Sequence, residues 1–440
     1  MDKVLRPMGT LLSLLVLAML WAACTPRPPL EPPTKRARAR APGRPLAPLR
    51  VALAVDVSSL EVGLEGDGIL RGEEEERSVG GGAMEARLDE GGSLLLSGAW
   101  GEMRAPGPVH IVPAEGGAFQ LGGRRYGGTL TLLSGDHGLV AVNSVGMEEY
   151  LRGVVPWEIG WLPEEKIEAL KAQAVAARTY ALTRFALDGE AWDLVATESD
   201  QVYRGLERVD DVVDRAIRET AGLVLVYRGE LVRTYYSSTC GGRTASLTDV
   251  WFHREGAPYL RGVADGPGGS TSPSRAYCRE SPHFRWSEVW EGEAAITDIL
   301  QALAGEQGVA VERLGRLKDV RIDEEGRSGR VRSTLFETEG AEIRVPGDRV
   351  RWVLRRPGGK GILRSTWFDL DVKRQNGVVT RIEADGHGHG HGIGLCQWGA
   401  MGMAAEGRRF DEILRHYYPG TRLSQADSGL LAETSSAGKP

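Results

Sequence analysis

Two hydrophobic patterns divide the chain. From Leu49 to about Asn143, apolar and polar residues alternate over short runs: LRVALAV, LEVGLEG, GSLLLSG, HIVPAEG, FQLGGRRYGGTLTLL and LVAVNSV. Glycines and Asp-Gly pairs punctuate them. A period of two with such breaks predicts strands and hairpins with one face buried. No catalytic constellation is evident there, so residues 48–143 read as a β-rich supporting domain.

At Met147 the period lengthens. The stretch MEEYLRGVVPWEIGWLPEEKIEALKAQAVAARTYALTRFA carries the strongest helix signal in the chain, and no Gly or Pro follows Pro163 until Gly189. Pro163 suits a first helical position, and Glu164 and Glu165 complement the N-terminal dipole. Ile167, Leu170, Ala174, Ala177 and Ala181 recur at helical spacing, which predicts one buried face. The alanines let another element approach closely. Further on, 287–304 reads as helix and 317–384 as β-like, without active residues. The expected fold class is α+β: a β-rich N-terminal region and a mixed core over 144–424 built around one long Ala-rich helix. Residues 425–440 read as a polar, disordered tail.

The N-terminus changes the expected location. Lys3 and Arg6 precede LLSLLVLAML, an apolar run of signal-peptide length and too short to span a bilayer comfortably. Ala22 and Ala23 directly before Cys24 resemble a lipobox, in which Cys24 would be lipidated as the mature N-terminus. Trp21 departs from that motif and keeps ordinary signal cleavage open. Residues 24–47 are rich in Pro and Arg and read as a tether. The expectation is a signal peptide over 1–23 and an exported lipoprotein of the cell envelope, membrane-anchored and facing the periplasm. Net charge is −6, with the basic residues spread along the chain, so no nucleic-acid footprint is evident.

Candidate chemistry concentrates after residue 150. Glu158 lies among Trp157, Ile159 and Trp161, an apolar setting that raises a carboxyl pKa and suits a general acid; capping the next helix is its structural alternative. Lys171 and Arg178 are seven residues apart on the predicted helix, nearly superposed, with only Ala, Gln and Val between them. Such isolated cations suggest a specific anionic target, against the plainer reading of two surface charges. Ser-Ser-Thr-Cys-Gly-Gly at 237–242 offers nucleophiles, but His253 and His283 are isolated and no local base accompanies it. Beyond Cys24, Cys240, Cys278 and Cys396 allow one disulfide plus a thiol, or three thiolates around a metal. GHGHGHGIGLCQWGA places histidines at 387, 389 and 391. They share a face only if the segment is extended, and its glycines argue against a rigid one.

The motifs EYLRGVVPWEI, EALKAQAVAARTYAL, DQVYRG, STCGGRT, PYLRGV and GHGIGLCQWGAMGMAAEGRRFDEILRHYYPGTRL occur in one order. Together, over about residues 48–424, they resemble the SpoIID/LytB family, named after stage II sporulation protein D and an amidase enhancer. That resemblance implies a peptidoglycan lytic transglycosylase, which cleaves the MurNAc-β-1,4-GlcNAc bond of denuded strands and leaves 1,6-anhydroMurNAc. It implies Glu158 as general acid/base, and a substrate cleft with Lys171, Arg178, Gln201, Tyr203, Ser238, Gly241, His391 and Gln397. No cofactor is required by that chemistry; a structural zinc stays open and unassigned. The implied partners are peptidoglycan glycan strands, an N-acetylmuramoyl-L-alanine amidase and the membrane through its lipid anchor, with no nucleic acid. The alternative is a non-catalytic, glycan-binding enhancer of an amidase.

Overall fold

The computed structural model describes residues 46–184, 191–252 and 254–427. The expected signal peptide, Cys24 and nearly all of the tether lie outside the described residues, as does most of the expected tail. Gln425 does not belong to that tail. It ends the strand Arg422–Gln425, paired with Leu223–Tyr227, and its amide donates to the Ala221 carbonyl.

The alternating runs form two sheets. In the first, Leu49–Val57, Leu139–Val145 and Thr129–Ser134 are neighbours, continued by Val109–Pro113, Gly68–Arg71 and Glu76–Val79. The second runs in the order Arg124–Tyr126, Ala118–Leu121, Ser59–Glu65, Gly82–Leu88, Leu94–Gly98 and Gly101–Ala105. Period two is visible in GEMRA, where Met103 and Ala105 turn inward and their neighbours face solvent.

These sheets do not close on a core of their own. Leu49, Val51, Leu64 and Leu130 belong to one apolar cluster with Tyr150, Leu170, Val175, Leu395 and Tyr418. The outer edge strand of the first sheet, Leu194–Val195, comes from beyond the long helix and pairs parallel with Val51 and Ala52. Beside it, Asp193 accepts from the Arg50 backbone N at 2.8 Å and from its guanidinium at 2.7 Å. The boundary expected at 143/144 is therefore not a boundary between cores.

The long helix spans Ile167–Arg184 after a 3₁₀ turn at Glu164–Lys166. Pro163 stands just outside that turn in extended conformation rather than as its first residue. The single buried face is also corrected: from Ala169 to Leu182 only Lys171 and Tyr180 escape burial. Helices Asp211–Glu219, Gln397–Ala405 and Phe410–Tyr417 and the strand Leu223–Tyr227 all pack on it. Alanine makes this possible, because it lets backbones approach from several directions. Even its polar groups point into protein: Thr179 donates to the Val175 carbonyl and accepts from Leu225 N at 3.0 Å.

A second core lies within residues 285–387. Strands Arg285–Glu291, Phe368–Gln375 and Val378–His387 form one sheet, and Leu317–Glu325, Val331–Thr338 and Glu342–Pro346 another. With the helix Glu293–Gln307 they enclose Trp290, Ile299, Leu303, Phe336 and Ile382. The helix expected from 287 begins six residues later. Trp286, Glu288 and Trp290 alternate inward with strand period, and Gly292, at φ 84°, makes the break. Among the described residues no helix is long and apolar enough to cross a membrane.

Candidate active site

Glu158 closes the short helix Val155–Glu158. Its carboxylate does not cap the next helix; it accepts from the backbone N–H of Val202 at 2.7 Å. Burial raises its pKa above the ordinary 4.5, while the Val202 N–H and the nearby Tyr236 phenol favour the charged form and oppose that rise. The group is therefore destabilised as a carboxylate and still provided with donors for the moment it ionises.

A buried chain of hydrogen bonds stands behind it. Tyr150 Oη donates to Gln201 Oε1 at 2.8 Å. Gln201 Nε2 donates to the Ala177 carbonyl at 3.3 Å and to Tyr236 Oη at 2.9 Å. The Ala177 carbonyl can only accept, which fixes the orientation of the Gln201 amide. With its oxygen already accepting from that amide, the Tyr236 hydroxyl keeps its proton for the Glu158 side. Tyr236 had no distinguishing signal in sequence beyond its place before Ser237.

Tyr236 also links Glu158 to the glycine-rich loop. The strand Tyr236–Ser237 pairs in parallel with Leu395–Cys396. Ser237 Oγ accepts from Gly392 N at 3.1 Å, and Thr239 forms an antiparallel bridge with His389. Gly392, at φ 75°, is obligatory: a Cβ there would stand 1.9 Å from Arg330 Nη2. Half-buried rings continue this wall. Tyr180 lies 6.2 Å from Tyr235, Tyr235 4.9 Å from Trp251, and Trp251 5.2 Å from His391 between ring centroids. Tyr180, Tyr235 and Trp251 were not among the expected site residues. They are scattered over 71 positions of sequence and meet only in the fold.

The expected site residues separate into groups. Glu158, Gln201 and, through Tyr236 and Ser237, the loop of His391 come together. Ser238 follows that strand, and its carbonyl accepts from Trp398 N at 3.0 Å. Gly241, at φ 82°, packs against His387 in the same turn. Gln397 is buried with its amide 3.4 Å from Gln173 Oε1, behind the loop. Tyr203 is a core residue: fully buried, it donates to Asn143 Oδ1 at 2.7 Å and lies over Gly153, where a Cβ would come within 2.4 Å of its ring.

Lys171 and Arg178 are not presented to the Glu158 cluster. Arg178 is fully buried, binds the Glu148 carboxylate through Nε (3.0 Å) and Nη2 (2.5 Å), and donates to the Leu223 carbonyl. Lys171 is held by Glu168 at 2.7 Å and Glu219 at 2.6 Å. At about 100° per residue, both lie roughly opposite Gln173, Ala177 and Tyr180, the positions that meet Gln397, Gln201 and Tyr235. The two cations share one side of the helix, and the anions they meet there come from within the chain.

The three histidines do not converge. His387 stacks on Trp367 at 4.7 Å, His389 meets His283 at 4.6 Å, and His391 packs on Trp251 while its Nδ1 accepts from Ile393 N. Burial pulls His389 and His391 down to about 4, so both are neutral near neutrality. Trp157 donates to the Gly205 carbonyl and has Arg124, Arg204 and Arg208 around its ring; Trp161 is exposed.

The model of a stage II sporulation protein family, SpoIID, matches residues 135–227, and that of a domain of unknown function (DUF8618) matches 245–394. The first match holds Glu158, the long helix and Gln201; the second holds the added core. An uncharacterized protein of Brachyspira hyodysenteriae is 31% identical over 307 residues, covering 69% of this chain and 74% of that protein. The stage II sporulation protein D of Bacillus subtilis is 28% identical over 315 residues, 66% of this chain and 78% of that one. The amidase enhancer of the same organism is 28% identical over 306 residues, 62% of this chain and 40% of its own length.

Proposed function

We propose that this chain, which belongs to the SpoIID family of stage II sporulation proteins, acts on the bacterial cell wall as a peptidoglycan lytic transglycosylase with Glu158 as its acid and base. The observation that carries this reading is the environment of Glu158: a desolvated carboxyl with two donors, the Val202 N–H and the Tyr236 phenol. Protonated, Glu158 gives its proton to the glycosidic oxygen as the MurNAc–GlcNAc bond breaks. The muramoyl C6 hydroxyl then attacks the anomeric carbon, and the ionised Glu158 takes up its proton. The leaving sugar departs as an alcohol and the muramoyl end as the 1,6-anhydro form. A hydrolase needs a second carboxylate to activate water or to attack; here the hydroxyl is supplied by the substrate and gains from its fixed proximity. Tyr180, Tyr235 and Trp251 supply faces on which sugar rings stack.

The substrate we propose is the glycan strand, denuded by an amidase. The exported, lipid-anchored location read from Cys24 and its signal belongs to the same proposal. The test is incubation of denuded sacculi with the protein, followed by mass spectrometry for anhydromuramoyl products. Wild type should produce them and Glu158→Gln should not; equal yields would overturn the assignment. The relative named amidase enhancer favours a second reading, a glycan-binding partner of an amidase. It predicts no anhydro products from either protein but faster amidase turnover with both.

A further inference from the structure

Away from Glu158, four side chains converge for which neither the proposed reaction nor the family match gives a use. Cys240, Cys278, Cys396 and Asp265 are all fully buried, and their potential ligand atoms lie within 4.8 Å of one another. They come from four separate places: the turn after Tyr236–Ser237, the loops at 265 and 278, and the N-cap of the helix Gln397–Ala405. We propose that these four residues form a closed, tetrahedral structural zinc site.

The spacing fits. Cys240 Sγ and Cys278 Sγ are 3.7 Å apart. Two sulfurs on a tetrahedral zinc, each at about 2.3 Å, are separated by roughly 3.8 Å, whereas a disulfide draws them to about 2.0 Å. Three soft thiolates with one carboxylate suit Zn²⁺ better than calcium or magnesium, which take oxygen ligands.

The surroundings also fit. Cys396 Sγ accepts from Cys240 N at 3.1 Å and Gly399 N at 3.3 Å, the donors a buried thiolate needs. Asp265 accepts from Tyr417 Oη at 2.5 Å and Cys278 N at 3.0 Å, contacts that orient a ligating carboxylate from outside. Gly399 is required for this approach, since a Cβ there would stand 2.0 Å from Tyr417 Oη and 2.4 Å from Asp265 Oδ1. On binding, the thiols release their protons to solvent. Four anionic ligands and Zn²⁺ leave two negative charges; the fully buried Arg330, on the Cys240 carbonyl at 3.2 Å, offsets one. With every ligand buried and no position open to substrate, the metal's role is to hold the fold. It ties the Ser237–Gly241 turn to the start of the helix after the glycine-rich loop.

The test uses the full chain purified under reducing conditions and needs no activity. Elemental analysis should find about one zinc per chain, retained through dialysis. Replacement by Co²⁺ should give the thiolate-to-cobalt charge-transfer absorption and tetrahedral visible bands. Cys278→Ala and Asp265→Asn should lose the zinc. Should those variants fail to fold, Tyr417→Phe keeps the ligands. It should bind Co²⁺ with the same spectrum but about 10–100-fold more weakly. Free, titratable thiols at Cys240, Cys278 and Cys396 with no uptake of Zn²⁺ or Co²⁺ would overturn the proposal. So would an intact mass lower by two hydrogens, which reports a disulfide, or unchanged affinity in Tyr417→Phe. Because the readouts are metal content and absorption, failure here leaves the assignment of Glu158 untouched, and the reverse holds as well.

Discussion

The two sides of the helix Ile167–Arg184 carry the same kind of signal in sequence, polar residues on an alanine background, and do different work. On one side Lys171 and Arg178 meet Glu168, Glu219 and Glu148. On the other, Gln173 and the carbonyl of Ala177 meet Gln397 and Gln201, and Tyr180 donates to Asp200 at 3.0 Å. The first side binds the helix to its neighbours through charge. The second holds the hydrogen-bond network behind Glu158. Formal charge, the more conspicuous feature, marks the structural side; neutral amides and phenols mark the side that serves the candidate site.

The largest effect that tests this contrast is the loss of Glu158. Glu158→Gln should lower transglycosylase turnover by about 10²–10⁴-fold, the usual contribution of a general acid, with the fold unchanged by circular dichroism. The same variant should report on stability. Burial raises the Glu158 pKa in the folded state, so folding takes up a proton above the ordinary value of 4.5, and stability falls as pH rises through the window above it. Glu158→Gln should flatten that part of a pH series of denaturant melts and be the more stable protein at neutral pH.

Arg178→Met comes next, and it should act on folding rather than on chemistry. The guanidinium is fully buried but its partner Glu148 is 42% exposed, so water can take over one side of the broken pair. A loss of about 3 kcal/mol is expected, read by urea denaturation, with turnover per folded molecule retained. A selective loss of kcat would return Arg178 to the substrate site. Tyr236→Phe should cost about 10-fold in turnover, the weight of one hydrogen bond to a charged group. It removes a group that favours the Glu158 carboxylate, so the basic limb of the pH–rate profile should move to higher pH. An unmoved limb would separate Tyr236 from Glu158. Lys171→Ala should be smallest, under about 1 kcal/mol, because Glu219 is half-exposed and the pair is screened.

The apolar residues around Glu158 in the sequence point to a raised pKa, and burial in the fold gives that direction. Trp157, however, turns to the Gly205 carbonyl, and the donors to the carboxylate come from Val202 and Tyr236. The long helix was legible because continuity without Gly or Pro is a property of the chain itself. Spacing puts Lys171 and Arg178 on one side of that helix, yet periodicity has no information about what another element brings to that face. Tyr203 shows the same limit. Its motif places it two residues from Gln201, and one faces the Glu158 network while the other fills the core between Tyr126 and Tyr150. The helix expected at 287 failed because the strand Arg285–Glu291 has only seven residues in which to show its period.

By itself the sequence determined what depends on neighbours along the chain: the β-rich start, the Ala-rich helix, the apolar residues flanking Glu158 and the glycine freedom around His391. Only the tertiary structure decided what depends on meeting across it. Tyr236 reaches the Glu158 network because its strand pairs with Leu395–Cys396, about 160 positions later. The three histidines are parted because Trp367, His283 and Trp251 each draw one away. The three cysteines converge on Asp265 because the turn, two loops and a helix start that carry them pack around Tyr417. Backbone preferences act over a few residues, whereas burial of polar groups must be balanced wherever the chain happens to return, and no local pattern records where that will be.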